Sequence, residues 1–173
     1  MKDIKKETTK KEIKKKEVSP KNKNFDNQEE TGIEERLLKV RRVSTKRAGG
    51  SSFHFSVLAV AGDHNGNVGV AIAKSKENTL AIQKAKDKAR KEMFNVPITE
   101  SGSIPHEVYI KDGSSVLYLK PAPEGAGIIA GGSLRHILEL AGYKNVSAKI
   151  IGTNNQINNS YALVKALKSL RKD

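Results

Sequence analysis

Short stretches that mix apolar and polar residues, with turn-forming residues between them, begin at Leu37. Three of them, at 37–46, 53–61 and 68–73, have strand character and are separated by glycine-containing segments, a pattern that predicts an antiparallel meander. After Asn78, a residue suited to cap a helix, apolar residues recur every three to four positions and form one stripe. The sequence therefore predicts a three-stranded sheet covered by one helix.

A proline and a polar stretch at 97–105 interrupt this pattern and predict a linker. Beyond it, strand-like and helix-like stretches follow one another, and Gly142 is a typical helix stop. The predicted elements are strands at 106–110, 116–119 and 146–151 and helices at 133–141 and 160–170. We therefore expect an α+β protein with domains at 31–96 and 106–173 and a small core in each.

Residues 1–30 contain ten lysines, seven acidic residues and few apolar ones. A segment of this composition buries too little apolar surface to offset the entropy that it would lose on folding. We expect it to be a disordered charged tail. The net charge is +13 for the whole chain, and the +3 of this segment leaves +10 on the remainder. The predicted domains are thus basic in their own right.

A chain with a pI near 9.8 attracts polyanions, so the expected partner is a nucleic acid, with an anionic membrane as second choice. No stretch reaches the roughly 20 apolar residues that span a bilayer, and no signal peptide is recognisable, so we expect a cytoplasmic protein without membrane association. The chain has no cysteine, and none of its four histidines lies within five residues of another. We therefore predict no metal and no cofactor.

The residues best suited to bind phosphate are most concentrated in the first predicted hairpin. Phosphate contacts need cations and hydrogen-bond donors on an ordered scaffold, and two glycines there let the backbone approach a sugar-phosphate strand. The candidate RNA-binding residues are Arg41, Arg42, Ser44, Lys46, Arg47, Gly49 and Gly50, with Lys84 and Lys88 on the polar face of the predicted helix. A merely solvated surface is the alternative, above all for the two helix lysines.

A glycine-rich segment follows the predicted strand at 116–119 and superficially resembles a dinucleotide-binding turn. Two prolines lengthen the connection, no acidic residue ends the next strand, and too few residues remain for a doubly wound sheet. We expect the glycines to allow close approach of another backbone, of protein or RNA. They are Gly125, Gly127, Gly131 and Gly132. No Ser-His-Asp set or carboxylate pair stands out, so we do not expect an enzyme.

Several motifs resemble those of a known family, the fifth small-subunit ribosomal protein of bacteria. In the first half they are Arg42-Val-Ser44, Gly49-Gly50, Phe53-His-Phe55, Val60-Ala-Gly-Asp63, Asn65-Gly66-Asn-Val-Gly69, Lys74 and Ala81-Ile-Gln-Lys-Ala85. In the second half they are Lys120-Pro-Ala-Pro-Glu-Gly125, Gly127-Ile-Ile-Ala-Gly-Gly132, Leu138-Glu-Leu-Ala-Gly142, Asn145-Val146 and Ala148-Lys149. The motifs occur in order, from about residue 34 to residue 170, which makes the resemblance specific.

This resemblance implies a first domain similar to a double-stranded-RNA-binding fold and a second domain of the left-handed βαβ type. It implies a ribosomal protein that binds small-subunit ribosomal RNA and supports subunit assembly and decoding accuracy. The fourth and eighth small-subunit proteins are the expected neighbours, and messenger RNA is a further expected partner where it enters the subunit. On the same ground Phe53, Phe55 and Lys74 join the candidate RNA-binding residues, and Ser51, which follows the glycine pair, is included with them.

The chain departs from the family pattern at Ser51 and Ser52, which replace an arginine-containing step, and at Gln156, which replaces a proline. The first departure puts one expected phosphate contact in question. Two other functions stay open at this point. A free-standing RNA chaperone would share the charge and the first domain, and a nucleotide-dependent enzyme would use the glycine-rich segment.

Overall fold

The computed structural model describes residues 32–171, so the tail predicted at 1–30 lies outside the described residues. The elements of the first half are β1 (Glu34–Arg47), β2 (Gly50–Gly62), β3 (Asn67–Ser75), α1 (Asn78–Lys91) and β4 (Phe94–Asn95). Those of the second half are β5 (Val108–Asp112), β6 (Ser115–Pro121), β7 (Ile128–Ile129), α2 (Gly132–Ala141), β8 (Val146–Ile150) and α3 (Gln156–Ser169). Each half combines a sheet with helices, and the α+β prediction is confirmed.

The strands of the first sheet lie in the order β1-β2-β3-β4, and each is antiparallel to its neighbours. α1 covers one face of this sheet through three fully buried alanines. Small residues bring the helix close to the strands, since a Cβ added at Gly69 of β3 would lie 2.1 Å from the carbonyl oxygen of Ala89. Asn78 is the first helical residue rather than the cap, because Glu77 occupies the N-cap position without a side-chain hydrogen bond.

The second sheet has the strand order β5-β6-β8-β7. β6 is antiparallel to β5 and β8, whereas β7 runs parallel to β8 and is joined to it through α2. α2 stops at Gly142 as predicted, with a φ of 96° that favours glycine. α3 begins at Gln156 rather than at residue 160, and the side chain of Asn155 caps it. Proline is favoured at the first position of a helix, and Gln156 leaves this helix start intact.

One apolar core joins the two halves of the chain. The face of the first sheet opposite α1 carries Leu58 and Val60, which belong to the same buried cluster as Leu134 and Leu138 of α2. The expectation of two separate small cores is therefore wrong. A sheet with apolar side chains on both faces needs a cover on each, and here α1 supplies one cover while the second half of the chain supplies the other.

The turn between β2 and β3 caps the C-terminus of α2. The last carbonyls of a helix lack partners within the helix. The backbone nitrogen of His64 donates to the Leu140 oxygen at 3.0 Å, and that of Gly66 donates to the next carbonyl at 2.9 Å. A Cβ added at Gly62 would lie 2.3 Å from the Leu140 oxygen, and one at Gly142 would lie 2.2 Å from the His64 oxygen. Only glycine fits these two positions without a shift of the backbone.

Charged side chains flank this contact between the halves. Arg36 of β1 lies 2.8 Å from Glu139 of α2 and 2.7 Å from Glu34, and the ring of His64 lies 2.9 Å from Glu34. Hydrogen bonds from Arg135 and then Arg36 lower the pKa of Glu139 below its ordinary value of 4.5. Hydrogen bonds from His64 and then Arg36 lower the pKa of Glu34 in the same way. Charge as well as apolar packing therefore joins the halves.

We expect acid to destabilise the wild type more than a Glu34→Gln, Glu139→Gln double variant. A carboxyl group whose pKa is lowered on folding stabilises the protein fully above its ordinary pKa of 4.5 and loses this contribution as the pH falls through the lowered pKa. Urea denaturation of both proteins, at neutral pH and well below 4.5, measures the difference. Equal losses of stability in the two proteins would show that these exposed pairs contribute nothing.

The segment 97–105, predicted as a linker, packs against the second half of the chain. Ile104 is 2% exposed and belongs to the shared core. The carbonyl of Gly102 accepts a hydrogen bond from the backbone nitrogen of Lys144 at 2.8 Å. This connection is therefore held in place by specific contacts, and the predicted domain boundaries on either side of it stay predictions.

Candidate nucleic-acid interface

The hairpin of β1 and β2 projects from the first sheet as a two-stranded ribbon. The two strands pair up to Arg47 opposite Gly50, whereas β3 pairs with β2 only as far as Phe55. Beyond this last pair the hairpin has no third strand beside it, and residues 42–55 are called the ribbon below. At about 3.4 Å per residue the ribbon extends roughly 17 Å beyond the sheet. Each residue from 40 to 51 is exposed.

One face of the ribbon carries most of the predicted residues. Side chains alternate between the faces of a strand, and residues directly opposite each other share a face. The pairs on this face are Arg42 with Phe55, Ser44 with Phe53, and Lys46 with Ser51. It is the face on which α1 packs, because Phe55 contacts the buried cluster of Val57, Ala59, Ala81 and Ala85.

The other face carries the remaining predicted cations. Arg41 and Lys74 both lie opposite Ser56, so they form a row across three strands at the base of the ribbon. Arg47 lies on the same face near the tip, opposite Gly50. The predicted residues of the hairpin therefore line both faces of the ribbon and its base rather than one flat patch.

The hairpin cations between residues 41 and 47 have no carboxylate partner within residues 32–171. Lys86 and Arg90 of α1, by contrast, both form ion pairs with Glu35. The cations of this stretch are Arg41, Arg42, Lys46 and Arg47, and all four lack such a pair. The sequence explains this difference, since no acidic residue occurs between Glu35 and Asp63. The ribbon therefore presents a concentrated positive charge to solvent, which suits a polyanionic partner.

Arg42 and Phe53 form a preassembled contact on the ribbon. The guanidinium carbon of Arg42 lies 3.9 Å from the centre of the Phe53 ring, a cation–π arrangement. Phe53 is 45% exposed. A guanidinium held against an aromatic ring loses less conformational freedom when it binds a phosphate, so this contact suits Arg42 to such a partner. The sequence identified the two residues separately. They meet because Arg42 pairs with Phe55, which places Phe53 diagonally across the ribbon from Arg42.

The tip of the ribbon is a glycine turn that leaves the backbone uncovered. The sequence predicts that Gly49 and Gly50 can both adopt a positive φ. In the structure Gly50 does so, with a φ of 135°. A Cβ added at Gly49 or Gly50 would meet nothing within 4 Å. The two glycines therefore serve the turn itself, and contact between this backbone and a sugar-phosphate strand stays a prediction.

Lys84 and Lys88 lie outside the ribbon, on the solvent side of α1. Both side chains are exposed, and the ammonium group of Lys88 lies 3.6 Å from Glu92. The buried stripe of α1 is formed by alanines on the opposite side of the helix. The structure does not bring these lysines together with the ribbon tip, and a solvated helix face remains the alternative for them.

Among the described residues, most of the glycines predicted for close backbone approach have open space where a Cβ would lie, although the carbonyl of Gly127 accepts a hydrogen bond from the backbone nitrogen of Val146 at 3.2 Å. A Cβ added at Gly125, Gly127 or Gly132 would meet nothing within 4 Å, and one at Gly131 would meet only the side chain of Ile150. Their φ angles of 82°, 72° and 40° at Gly125, Gly127 and Gly132 show that turn conformation is their role within this chain. An approach to RNA or to another protein stays a prediction.

Sequence reasoning missed two exposed apolar residues of the hairpin. Val40 is 43% exposed and Val43 is 37% exposed. β-Branched residues in a strand normally predict a buried face. Val43 lies opposite His54, beyond the point where the third strand stops, whereas Val40 lies opposite Val57 on the edge strand β1. A strand pattern alone shows neither where the third strand stops nor which strand is at the edge of the sheet.

Other kinds of site are not found in the part of the chain that the structure describes. Between residues 32 and 171, no three side chains of His, Asp or Glu come together as a metal site would require. No helix in that range has the length and apolar character needed to span a membrane. A basic ribbon on a doubly covered sheet is typical of a structural protein that binds a nucleic acid.

The comparisons with known proteins agree with this class. The family model described as ribosomal protein S5, N-terminal domain, matches residues 33–97, and the one described as its C-terminal domain matches residues 110–172. Small ribosomal subunit protein uS5 of Thermus thermophilus is 45% identical over 142 residues, which cover 82% of this chain and 87% of that protein. The corresponding protein of Chlamydia caviae is 47% identical over 147 residues, which cover 84% and 89%.

The chain belongs to the ribosomal protein S5 family. The family resemblance found in the sequence is thereby confirmed. Proteins of this family are structural components of the small ribosomal subunit, so the alternative of a nucleotide-dependent enzyme is wrong.

Proposed function

We propose that this chain is a structural constituent of the small ribosomal subunit whose ribbon makes the principal contact with small-subunit ribosomal RNA. Family membership supports the place in the ribosome, and with it a cytoplasmic location. The single observation that supports the ribbon is its charge. Arg41, Arg42, Lys46 and Arg47 are exposed and have no carboxylate partner within residues 32–171, on a hairpin that reaches beyond its own sheet.

The shape of the ribbon favours RNA as the partner of this charge. A two-stranded ribbon with side chains on both faces can enter a groove between RNA strands and reach phosphates on either side. Ser44 and Ser51 lie beside Lys46 on one face and supply hydroxyl groups for sugar or phosphate oxygens. Phe53 supplies an exposed ring for stacking. The rigid attachment to a sheet covered on both faces would hold this ribbon in a fixed direction.

The finer roles follow from the family resemblance and are proposed with it. They are support of subunit assembly and of decoding accuracy, contact with the fourth and eighth small-subunit proteins, and contact with messenger RNA where it enters the subunit. The glycine-rich segment from Gly125 to Gly132 has open space around most of its glycines, which suits a surface used by a neighbouring protein or RNA.

Competition for small subunits tests the proposed function. Purified full-length chain should co-sediment with small subunits reconstituted without their own copy of this protein, and it should resist a moderate salt wash. A chain with Arg42, Lys46 and Arg47 changed to Ala should be displaced by the wild type. A free-standing RNA chaperone would stay at the top of the gradient whether or not the subunits lack this protein, and that result would overturn the proposal.

A further inference from the structure

One face of the second sheet is left without a helix. α2 and α3 pack on the opposite face, where Leu117 and Leu119 of β6 are fully buried in the shared core. The residues that alternate with these two point away from the helices. This surface, called the open face below, consists of Tyr109, Lys111, Val116, Tyr118, Lys120, Ile129, Ser147 and Lys149.

Aromatic and cationic side chains are neighbours on the open face. Tyr109, Tyr118 and Lys149 lie directly opposite one another on three adjacent strands and form a row. A parallel row two residues along contains Lys120, Ser147 and Ile129. Side chains in such rows are about 5 Å apart, which lets a phosphate bind beside a stacked base.

The open face is exposed and positively charged. Tyr109 is 65% exposed and Ile129 is 60% exposed, whereas Tyr118 between the outer strands is half-buried. Within the described residues, Lys111, Lys120 and Lys149 form no ion pair. The nearby acid, Glu107, accepts a hydrogen bond from the Tyr118 hydroxyl at 2.7 Å, which holds that ring in place.

We propose that the open face is a second RNA-binding surface, which binds an unpaired RNA segment by stacking bases on Tyr109 and Tyr118 and by contacts from Lys120 and Lys149 to the phosphates. Two observations favour unpaired RNA as the partner. Exposed aromatic rings on a sheet can stack with unpaired bases, whereas duplex RNA presents mainly phosphates and 2′-hydroxyls to a protein. Lysine is depleted where proteins bind one another, so the interleaved lysines favour a polyanion over a protein surface. The inference takes from the proposed function only that the partner is RNA. It does not depend on RNA binding by the ribbon, because the open face and the ribbon are different surfaces.

The absence of tryptophan from the chain makes a specific test available. A Tyr109→Trp variant keeps a ring for stacking and introduces the only tryptophan, whose fluorescence then reports on this position. The probe is a single-stranded oligouridine or oligoadenylate of about ten nucleotides, which fits the site sizes of other single-strand binders. The full-length variant should bind this probe with quenching of the tryptophan. Affinity should fall about tenfold in Tyr109→Thr, which removes the ring and retains a residue suited to a strand.

Matched variants separate stacking from general charge. Changing Lys120 and Lys149 together to Ala should flatten the dependence of log affinity on log salt by about 1.4, or about 0.7 for each phosphate that is no longer neutralised, whereas Tyr109→Thr should leave that slope unchanged. Lys91 and Lys144, exposed lysines away from the open face, serve as the charge-matched control pair. Thermal melts confirm that each variant is folded.

The outcomes discriminate between the two RNA surfaces. Binding of the single strand that is lost in Tyr109→Thr but kept in the ribbon variant Lys46→Ala, Arg47→Ala supports the inference, whatever the ribbon does with ribosomal RNA. Equal binding by wild type and Tyr109→Thr, or no tryptophan quenching on binding, would overturn it. Equal losses in the Lys120, Lys149 variant and in the control pair would also overturn it, because general positive charge would then explain the binding.

Discussion

A Gly62→Ala variant is expected to lose about 3 kcal/mol of stability, toward the upper end of what overpacking costs. The added Cβ would lie 2.3 Å from the backbone carbonyl oxygen of Leu140, and backbone cannot rotate away as a side chain can. Either β2 or α2 must move. Such a movement disturbs the hydrogen bond from His64 to Leu140 and the apolar core behind it.

Gly49→Ala is the matched control, because the same substitution there meets nothing within 4 Å and Gly49 has no positive φ. Its stability should stay within about 0.5 kcal/mol of the wild type, or rise slightly. Thermal denaturation of the two variants should differ by roughly 10 °C in Tm. If both variants melt together, the tight contact between the halves of the chain is not a determinant of stability.

The second large effect concerns RNA binding by the ribbon. Changing Lys46 and Arg47 together to Ala is expected to weaken binding to a small-subunit ribosomal RNA fragment by about tenfold at low salt. Neutralising a phosphate releases counterions, so each phosphate that is no longer neutralised lowers the slope of log affinity against log salt by about 0.7 to 0.9. The slope should therefore fall by up to about two units. The fold should be retained, because both side chains are exposed and lie beyond the third strand.

Lys91→Ala, Lys144→Ala is again the charge-matched control for this titration. Lys165 and Lys168 would be a poor control, because Lys165 pairs with Asp112 and Lys168 lies 4.7 Å from the ring centre of Phe94. Removing those two would change packing as well as charge. If the ribbon variant and the control show equal decreases in affinity and slope, the RNA is bound by overall charge and the ribbon is not its site.

Local features of the chain were predictable from the sequence because they depend on neighbours in the sequence. The stop of α2 at Gly142 follows from the φ that a helix C-terminus favours, and the meander follows from strands separated by turn residues. β4 and β7 escaped prediction because two residues show no periodicity. The first turn of α3 escaped it because its polar residues are typical of loops.

Those polar residues have partners that only the fold supplies. Asn159 is 1% exposed and accepts a hydrogen bond from the hydroxyl of Ser115 at 2.5 Å, although 44 residues separate them. The same limit applies to Gly62, whose need for glycine arises from a carbonyl of α2. Contacts between distant segments therefore set what the sequence left open, namely the shared core and the direction of the ribbon.

The same distinction, between features set by the residues themselves and features set by the fold, applies to the candidate site. Its cations and glycines were found from composition and family resemblance, since charge is a property of the residues themselves. Their distribution over two faces was not found, because it depends on the register of β1 with β2 and on where β3 stops. The cation–π contact of Arg42 with Phe53 depends on that register as well.

Tethered cleavage from the tip of the ribbon tests the central claim most directly. The chain has no cysteine, so Ala48→Cys provides a single attachment point for an iron chelate that generates hydroxyl radicals, and Lys91→Cys provides the same probe on α1. Both labelled proteins are assembled into small subunits that lack their own copy, and cleavage of the ribosomal RNA is mapped. We predict strong cleavage at a small number of RNA positions from Ala48, and weaker cleavage at other positions from Lys91. Assembly of both proteins with no RNA cleavage from Ala48 would contradict the assignment of the ribbon as the principal RNA contact.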